Sequence, residues 1–503
     1  MRESLEPRDE HNRALEANVR PAEWINPEPA PRYNLVVIGA GTAGLVSAAG
    51  AAALGAKVAL VERRLMGGDC LNFGCVPSKA LLRSARAAAD AHAASQFGVD
   101  VGSVQVNFTR VMDRVRRLRS AISPHDSAAR FRDLGVDVFL GEARFRGADR
   151  VEVEGKTLVF RKAILATGTR PAVPAIPGLA EAGFLTNETV FSLTELPRRL
   201  AIIGAGPIGC ELAQAFARLG SQVTLIGDKS QILPREEPHL VAIVARQLQR
   251  DGVELLLNSL VMAVRRQDDE SAVELMHTSE RRVVVADTIL VAAGRVPVAD
   301  GLDLEAAGVV FDSREGVKVN DRLQTTNRRI FAAGDIASRL KFTHAADAMA
   351  RIAVRNALFL GRRRVSALTI PWCTYTDPEI ARLGLLPDEA RRHGIEVQTF
   401  QQRLSAVDRA ILDGETDGAA MVHVRAGSDR IVGATIVARH AGEMIAEVTL
   451  AMHGGLGLKM LSDTIHPYPT QAEAIKKLGD AFNRTRLTPR VRWLFGKWLG
   501  WSR

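Results

Sequence analysis

Two apolar stretches of this chain share one layout. LVVIGAGTAGLVSAAGAAALGAKVALVER, residues 35–63, and LAIIGAGPIGCELAQAFARLGSQVTLIGD, residues 200–228, superimpose without a gap. Each predicts a buried, β-branched strand, a glycine turn, an Ala-rich helix and a second strand. Gly39, Gly41 and Gly44 match Gly204, Gly206 and Gly209, and Leu54 and Gly55 match Leu219 and Gly220. In a G-x-G-x-x-G turn the first glycine permits the tight bend and the second lets backbone approach a pyrophosphate. The third packs helix on strand, and the helix N-terminus offers partial positive charge to the anion. One such turn is a weak sign; two in full strand-turn-helix-strand context predict two bound dinucleotides. The uncharged run from Leu35 to Ala56 is long enough to span a bilayer, but its glycines sit at turn positions and Lys57 and Glu62 close it. A strand-turn-helix is therefore expected there.

The two copies differ where a ribose would be read. Glu62 ends the second strand of the first copy, where a carboxylate can accept ribose hydroxyls. The equivalent residue of the second copy is Gly227, followed by Asp228 and Lys229. Asp228 suits an unphosphorylated ribose and Lys229 a 2′-phosphate, so NADH and NADPH both stay open. Three further apolar runs end in small residues: KAILATG (162–168), DTILVAAG (287–294) and RRIFAAGD (328–335). They read as closing strands, which places Thr167, Gly168, Gly294 and Asp335 at carboxyl ends, where ligands of open α/β sheets sit. Asp335 suits a polyol chain such as ribityl, or alternatively a helix cap.

Composition changes this picture at four points. A chain of 503 residues is too long for one core. The expected order is a leader arm (1–32), the first part of a nucleotide domain built on the first glycine turn (33–180) and a second nucleotide domain (181–298). The second part of the first nucleotide domain (299–366), a further domain (367–483) and a basic, Trp-rich tail (484–503) follow. The charged, proline-rich leader has no signal-type apolar core and reads as a soluble arm. Four cysteines are too few for a secreted scaffold, so a reducing cytoplasm is the default. Of a formal net charge of +9, the tail supplies six, so the body gives no reason to expect nucleic acid.

Two of the four cysteines stand five apart in GGDCLNFGCVPSK, 67–79. Five residues of regular helix rise ~7.5 Å, beyond the ~4.4–6.8 Å that disulfide Cα atoms usually span. Cys70 and Cys75 can therefore bond only where the helix start is distorted, and Gly67, Gly68 and Gly74 make distortion inexpensive. A bond made under constraint is more reducible than a structural one. A metal pair, for which nearby His or Cys partners are missing, and two buried free thiols are the alternatives. Beside two nucleotide sites, redox activity is the favoured reading.

GGDCLNFGCVPSKALL resembles the active-site signature of the flavin-dependent pyridine nucleotide-disulfide oxidoreductases, with their dihydrolipoamide dehydrogenase and mercuric reductase branches. The likeness runs from about Tyr33 to Lys477 in the family's order: FAD motif, cysteine pair, ATG, NAD(P) motif, AAGR, T-x-x-x-x-I-F-A-A-G-D (325–335), then an interface domain. It implies an α/β fold with two Rossmann-like domains and a C-terminal α+β dimerisation domain. It further implies FAD on Glu62, Asp335 and the first glycine turn, with NAD(P)H on the second. Reducing equivalents would pass from nicotinamide through flavin to a Cys70–Cys75 disulfide, with Cys75 facing the flavin and Cys70 attacking substrate. Lys79 would pair with Glu211 beside the flavin, and the backbone at His344 would meet its ring. The partner is a second copy sharing the active site, and the acceptor is a small disulfide or dithiol, or a soft electron acceptor.

Many members carry a histidine followed by Pro-Thr and, five residues on, a glutamate, acting as acid/base across the dimer. Here the stretch is IHPYPTQAE, 465–473: Glu473 is in place, but Tyr468 holds the base position and His466 lies two residues earlier. A phenol of pKa ~10 is a poor base at neutral pH, where imidazole near ~6.5 is suited. Either His466 substitutes, or thiol proton transfer is not the main task. Tyr468, PWCTYTDPEIARLG (371–384) and LPREEP (233–238) resemble the mercuric-reductase branch, yet no cysteine follows Cys373 to deliver Hg(II). Efficient mercury detoxification is therefore not expected, and no resident metal site is assigned. A metal-ion reductase, or a flavin-binding interaction protein with little turnover, remain the other readings. Cys210 and Cys373 read as buried fillers. The tail leaves two alternatives: weak contact with an anionic membrane surface, or a helix docked on the dimer.

Overall fold

The doubled layout folds as two separate parallel sheets. A computed structural model describes residues 5–268, 270–359 and 361–503. They form two compact units, the first running up to Asp228 with Val253–Leu368, the second comprising Lys229–Gly252 with Thr369–Arg503.

In the first unit, Tyr33–Ile38 lies between Val58–Glu62 and Lys156–Leu165, parallel to both, with Val136–Leu140 beyond Val58–Glu62. Ile330–Ala332 also runs parallel to Lys156–Leu165, placing Ile330 opposite Ala163. An antiparallel meander, Ala143–Phe145 and Arg150–Val153, extends the same sheet. The second sheet is parallel throughout, in the order Val253–Leu256, Gln222–Ile226, Arg199–Ile203, Thr288–Val291. Strands buried on both faces need continuous apolar runs, which is why VALVE is buried at all five positions. The uncharged stretch 35–56 is thus a strand and the helix Thr42–Ala53. Among the described residues no helix is long and apolar enough to cross a membrane.

The leader is more than an arm. Glu10–Val19 is a helix capped by Asp9, and its Leu15 and Val19 are fully buried in the same core as Leu65, Met66 and Leu71. Beyond it, the Trp24 indole donates to the carbonyl of Val138, and Asn26 exchanges two hydrogen bonds with the backbone of Leu140. Asn26 thereby satisfies an edge strand that would otherwise expose its donors and acceptors.

The second unit holds an antiparallel sheet, Trp372–Thr374, Glu379–Gly384, Ile431–Ala438, Ala419–Arg425, Val397–Arg403. The helices Ala441–His453 and Glu473–Thr485 share its apolar core. The last helix of the chain, Pro489–Trp501, buries none of its residues. Cys210 is fully buried, as expected, but Cys373 is only half-buried, with Glu379 beside it.

Candidate active site

The conflict between helix rise and cysteine spacing is resolved by a break. Cys70 lies in a short helix, Gly68–Asn72, and Cys75 opens a second, Cys75–Ala93, with Phe73 and Gly74 between them. At Gly74 a Cβ would come within 2.8 Å of the Asp69 carboxylate, so a larger residue would have to displace that side chain. Gly68 sits at φ +58°, and a Cβ there would stand 2.6 Å from Cα of Gly41. Backbone therefore packs on backbone between the cysteine loop and the first glycine turn, and Gly67 N–H donates to the Ala40 carbonyl at 2.8 Å. The sulfur pair is fixed to the nucleotide turn by contacts that tolerate no side chain.

Both cysteines are free thiols and hydrogen-bond to one another. That bond divides their acidities. Cys75 is drawn down to about 6, first by the hydrogen bond from Cys70, then by Thr343 and the Lys79 ammonium, against burial and Asp69. Cys70 is pushed up by the same bond and by burial. Cys75 also stands at a helix N-terminus, whose dipole favours an anion. The Thr343 hydroxyl lies 3.3 Å from its Sγ.

Lys79 is one turn further along the same helix, hence on the Cys75 face. Its ammonium lies 2.8 Å from the carboxylate of Glu211, which is buried in the helix Pro207–Leu219. Cys70, Cys75, Lys79 and Glu211 are thus brought together in the first unit. The FTHAADA motif marks His344, whose ring stacks on Phe342, while no local pattern marks its neighbour Thr343.

A second polar chain leads away from the cysteines. Asp69 accepts from Asn187 at 3.0 Å and pairs with Arg295 at 3.2 Å. Arg295 Nε donates to the Thr169 hydroxyl, which donates to Asp335 at 2.8 Å. Burial pushes the Asp335 carboxyl up even though Thr169 and Arg295 oppose it. Arg295 follows Gly294 in the AAGR motif, but sequence alone gave no reason to single it out.

The remaining predicted positions frame two nucleotide cradles. Gly39, at φ +99°, closes its turn so tightly that a Cβ would meet the Ala166 carbonyl at 2.5 Å. Gly44 and Gly209 each sit against the carbonyl of the first glycine of their turn. Gly206 faces open space and Gly41 nearly so, leaving room for a phosphate. Glu62 accepts from the N–H groups of Ala40 and Arg64, both at 2.7 Å. Thr167 donates to the Val298 carbonyl and Gly168 accepts from its N–H, while Gly294 accepts from Ala172. At Gly227 a Cβ would stand 2.8 Å from that of Ala205, so a carboxylate is displaced to the exposed Asp228. A buried, desolvated Asp335 and an open turn beside Glu62 fit a flavin dinucleotide with its polyol chain.

The C-terminal candidates lie in the second unit, each with a different partner. His466 Nε2 is 2.8 Å from Glu447 and its Nδ1 3.0 Å from the Thr464 carbonyl. Tyr468 donates to Asp408 at 2.9 Å, which raises its phenol pKa further. Glu473 pairs with Lys477, and its second carboxylate oxygen is buried without a hydrogen-bond partner.

Known proteins resemble this chain in sequence and fold. The profile of the family described as "Pyridine nucleotide-disulphide oxidoreductase" matches residues 33–350, and that of its dimerisation domain matches 370–478. Mercuric reductase of Staphylococcus aureus is 34% identical over 452 residues, 90% of this chain and 83% of the relative. Dihydrolipoyl dehydrogenase of Chlamydia muridarum is 34% identical over 451 residues, 88% of this chain and 95% of the relative. The HOCl-induced flavoprotein disulfide reductase RclA from Escherichia coli, solved as a Cu(II) complex, superimposes with a TM-score of 0.79 at 29% identity. The match covers 88% of this chain and 98% of that one. The chain belongs to the pyridine nucleotide-disulphide oxidoreductases, enzymes that use FAD and NAD(P)H.

Proposed function

We propose that this protein is a cytoplasmic homodimer that passes electrons from a nicotinamide nucleotide to a disulfide or a soft acceptor through the Cys70–Cys75 pair. FAD, held by the first glycine turn, Glu62 and Asp335, supplies the two-electron relay between nicotinamide and sulfur. The carrying observation is the placement of Cys70 and Cys75 on either side of a helix break, with Lys79 one turn along the second helix and 2.8 Å from Glu211. Two electrons and one proton convert the disulfide to a Cys75 thiolate and a Cys70 thiol. Lys79 and Thr343 hold the charge on Cys75, which leaves Cys70 to meet the acceptor. The second nucleotide rests on Gly204, Gly206, Gly209, Asp228 and Gly294.

Tyr468 favours a particular class of acceptor. A phenol bound to Asp408 is a weak proton shuttle near neutral pH, which suits acceptors that take electrons without a protonated leaving thiol. A soft metal ion as substrate is the second reading, supported by the relatives named mercuric reductase and by the Cu(II) complex of RclA. Steady-state oxidation of NADH and NADPH against small disulfides, quinones, Cu(II) and Hg(II) tests both. Loss of every acceptor-dependent rate in Cys70→Ser is expected. Full rates in that variant would overturn the sulfur route.

A further inference from the structure

The helix Pro489–Trp501 is self-contained: Thr488 accepts from the Val491 N–H and Pro489 takes the first position. At about 100° per residue, Trp501, Leu494, Trp498, Val491, Phe495 and Leu499 fall on one unbroken arc roughly 160° wide. Arg490 and Lys497 border one edge of that arc and Arg492 the other. The apolar side chains are uncovered: Trp498 is 66% exposed and Trp501 83%. Trp493 lies on the polar side, where the Lys497 ammonium stands 4.2 Å from its ring centre. From Arg484 to Arg503 there are six cations and no acid.

We infer that this helix is an in-plane anchor for an anionic phospholipid surface. Thirteen helical residues span about 20 Å, short of the ~30 Å hydrocarbon core, so the helix lies along the interface. Its apolar arc enters the acyl boundary while the bordering cations reach the headgroups. Tryptophan is the residue of that boundary. Charge complementarity selects lipid over self-pairing: two copies of this segment would bring like charges together with no acid to offset them.

Flotation of the flavin-loaded dimer with vesicles tests this. Phosphatidylcholine vesicles containing a minority of phosphatidylglycerol should bind the protein at least roughly tenfold better than phosphatidylcholine alone, and raised salt should release it. The double variant Leu494→Glu/Trp498→Glu should lose binding, and so should Arg490→Glu/Arg492→Glu. Both should keep the flavin spectrum and NAD(P)H oxidation in solution. Absence of flotation with anionic vesicles would overturn the inference, as would equal flotation of the apolar-arc variant. So would conversion of that variant to a monomer with no vesicle binding by the parent, which would assign the helix to a second copy.

Discussion

Removing one hydrogen-bond donor from the sulfur pair should move the acidity of Cys75 in a fixed rank order. Its ordinary value of 9.0 is drawn to about 6, with Cys70 the largest contributor, Thr343 next among the favourable ones and Lys79 third. The sign is that of a stabilised thiolate, so nucleophilic reactivity is present above pH ~6 and lost below it. At pH 7, a pKa near 6 leaves about 90% thiolate, and one near 9 about 1%. Intrinsic nucleophilicity rises with pKa by a Brønsted factor of ~0.4–0.5, which leaves a net change of only about fivefold in rate at pH 7. The midpoint of the pH profile is therefore the informative quantity. In the dithiothreitol-reduced enzyme, iodoacetamide labelling of Cys75, followed by peptide mass spectrometry, should titrate near pH 6. The midpoint should rise most in Cys70→Ala, less in Thr343→Val and least in Lys79→Met. A parent midpoint at or above pH ~8, or a larger shift from Lys79→Met than from Cys70→Ala, would refute this account of the site.

Leu15→Ala should destabilise the protein by about 2–4 kcal/mol in equilibrium unfolding, because a fully buried leader residue leaves a cavity in the nucleotide-domain core. Arg119→Met should cost about 2–4 kcal/mol, since the buried guanidinium donates to the Asn72 carbonyl at 2.7 Å and to Asn12. Gly68→Ala adds backbone strain of about 1–3 kcal/mol to a close approach on Gly41. It should lower the flavin-to-protein absorbance ratio of the purified enzyme. Tyr468→Phe removes one exposed bond to Asp408, and turnover with a metal-ion or quinone acceptor should change less than about twofold. A large loss of turnover with an unchanged KM would restore Tyr468 to proton transfer.

The repeated G-x-G-x-x-G layout gave away both sheets because its first and third glycines answer steric demands that leave no other residue. Gly39 against Ala166 and Gly204 against Ala292 are two instances. The cysteine motif was legible for the same reason, and its predicted distortion is the break at Phe73–Gly74. The leader helix was hidden because only Asn12, Leu15 and Val19 turn inward from a charged segment. Arg119, Asn12 and Asn72 meet across more than forty positions of sequence, and no local pattern marks such a triad. Thr343 and Arg295 stood inside noticed motifs, but their roles depend on packing between distant segments. His466 meets Glu447 on a neighbouring helix, a contact that nothing in the IHPYPTQAE stretch signals.

The central claim is that flavin and a reducible Cys70–Cys75 pair act in series, and electron counting under anaerobic conditions tests it most directly. Titration of the oxidised holoenzyme with dithionite should consume four electrons per flavin, two for the isoalloxazine and two for the disulfide. Cys75→Ser should consume two. Two-electron uptake by the parent enzyme, identical to that of the variant, would contradict the account.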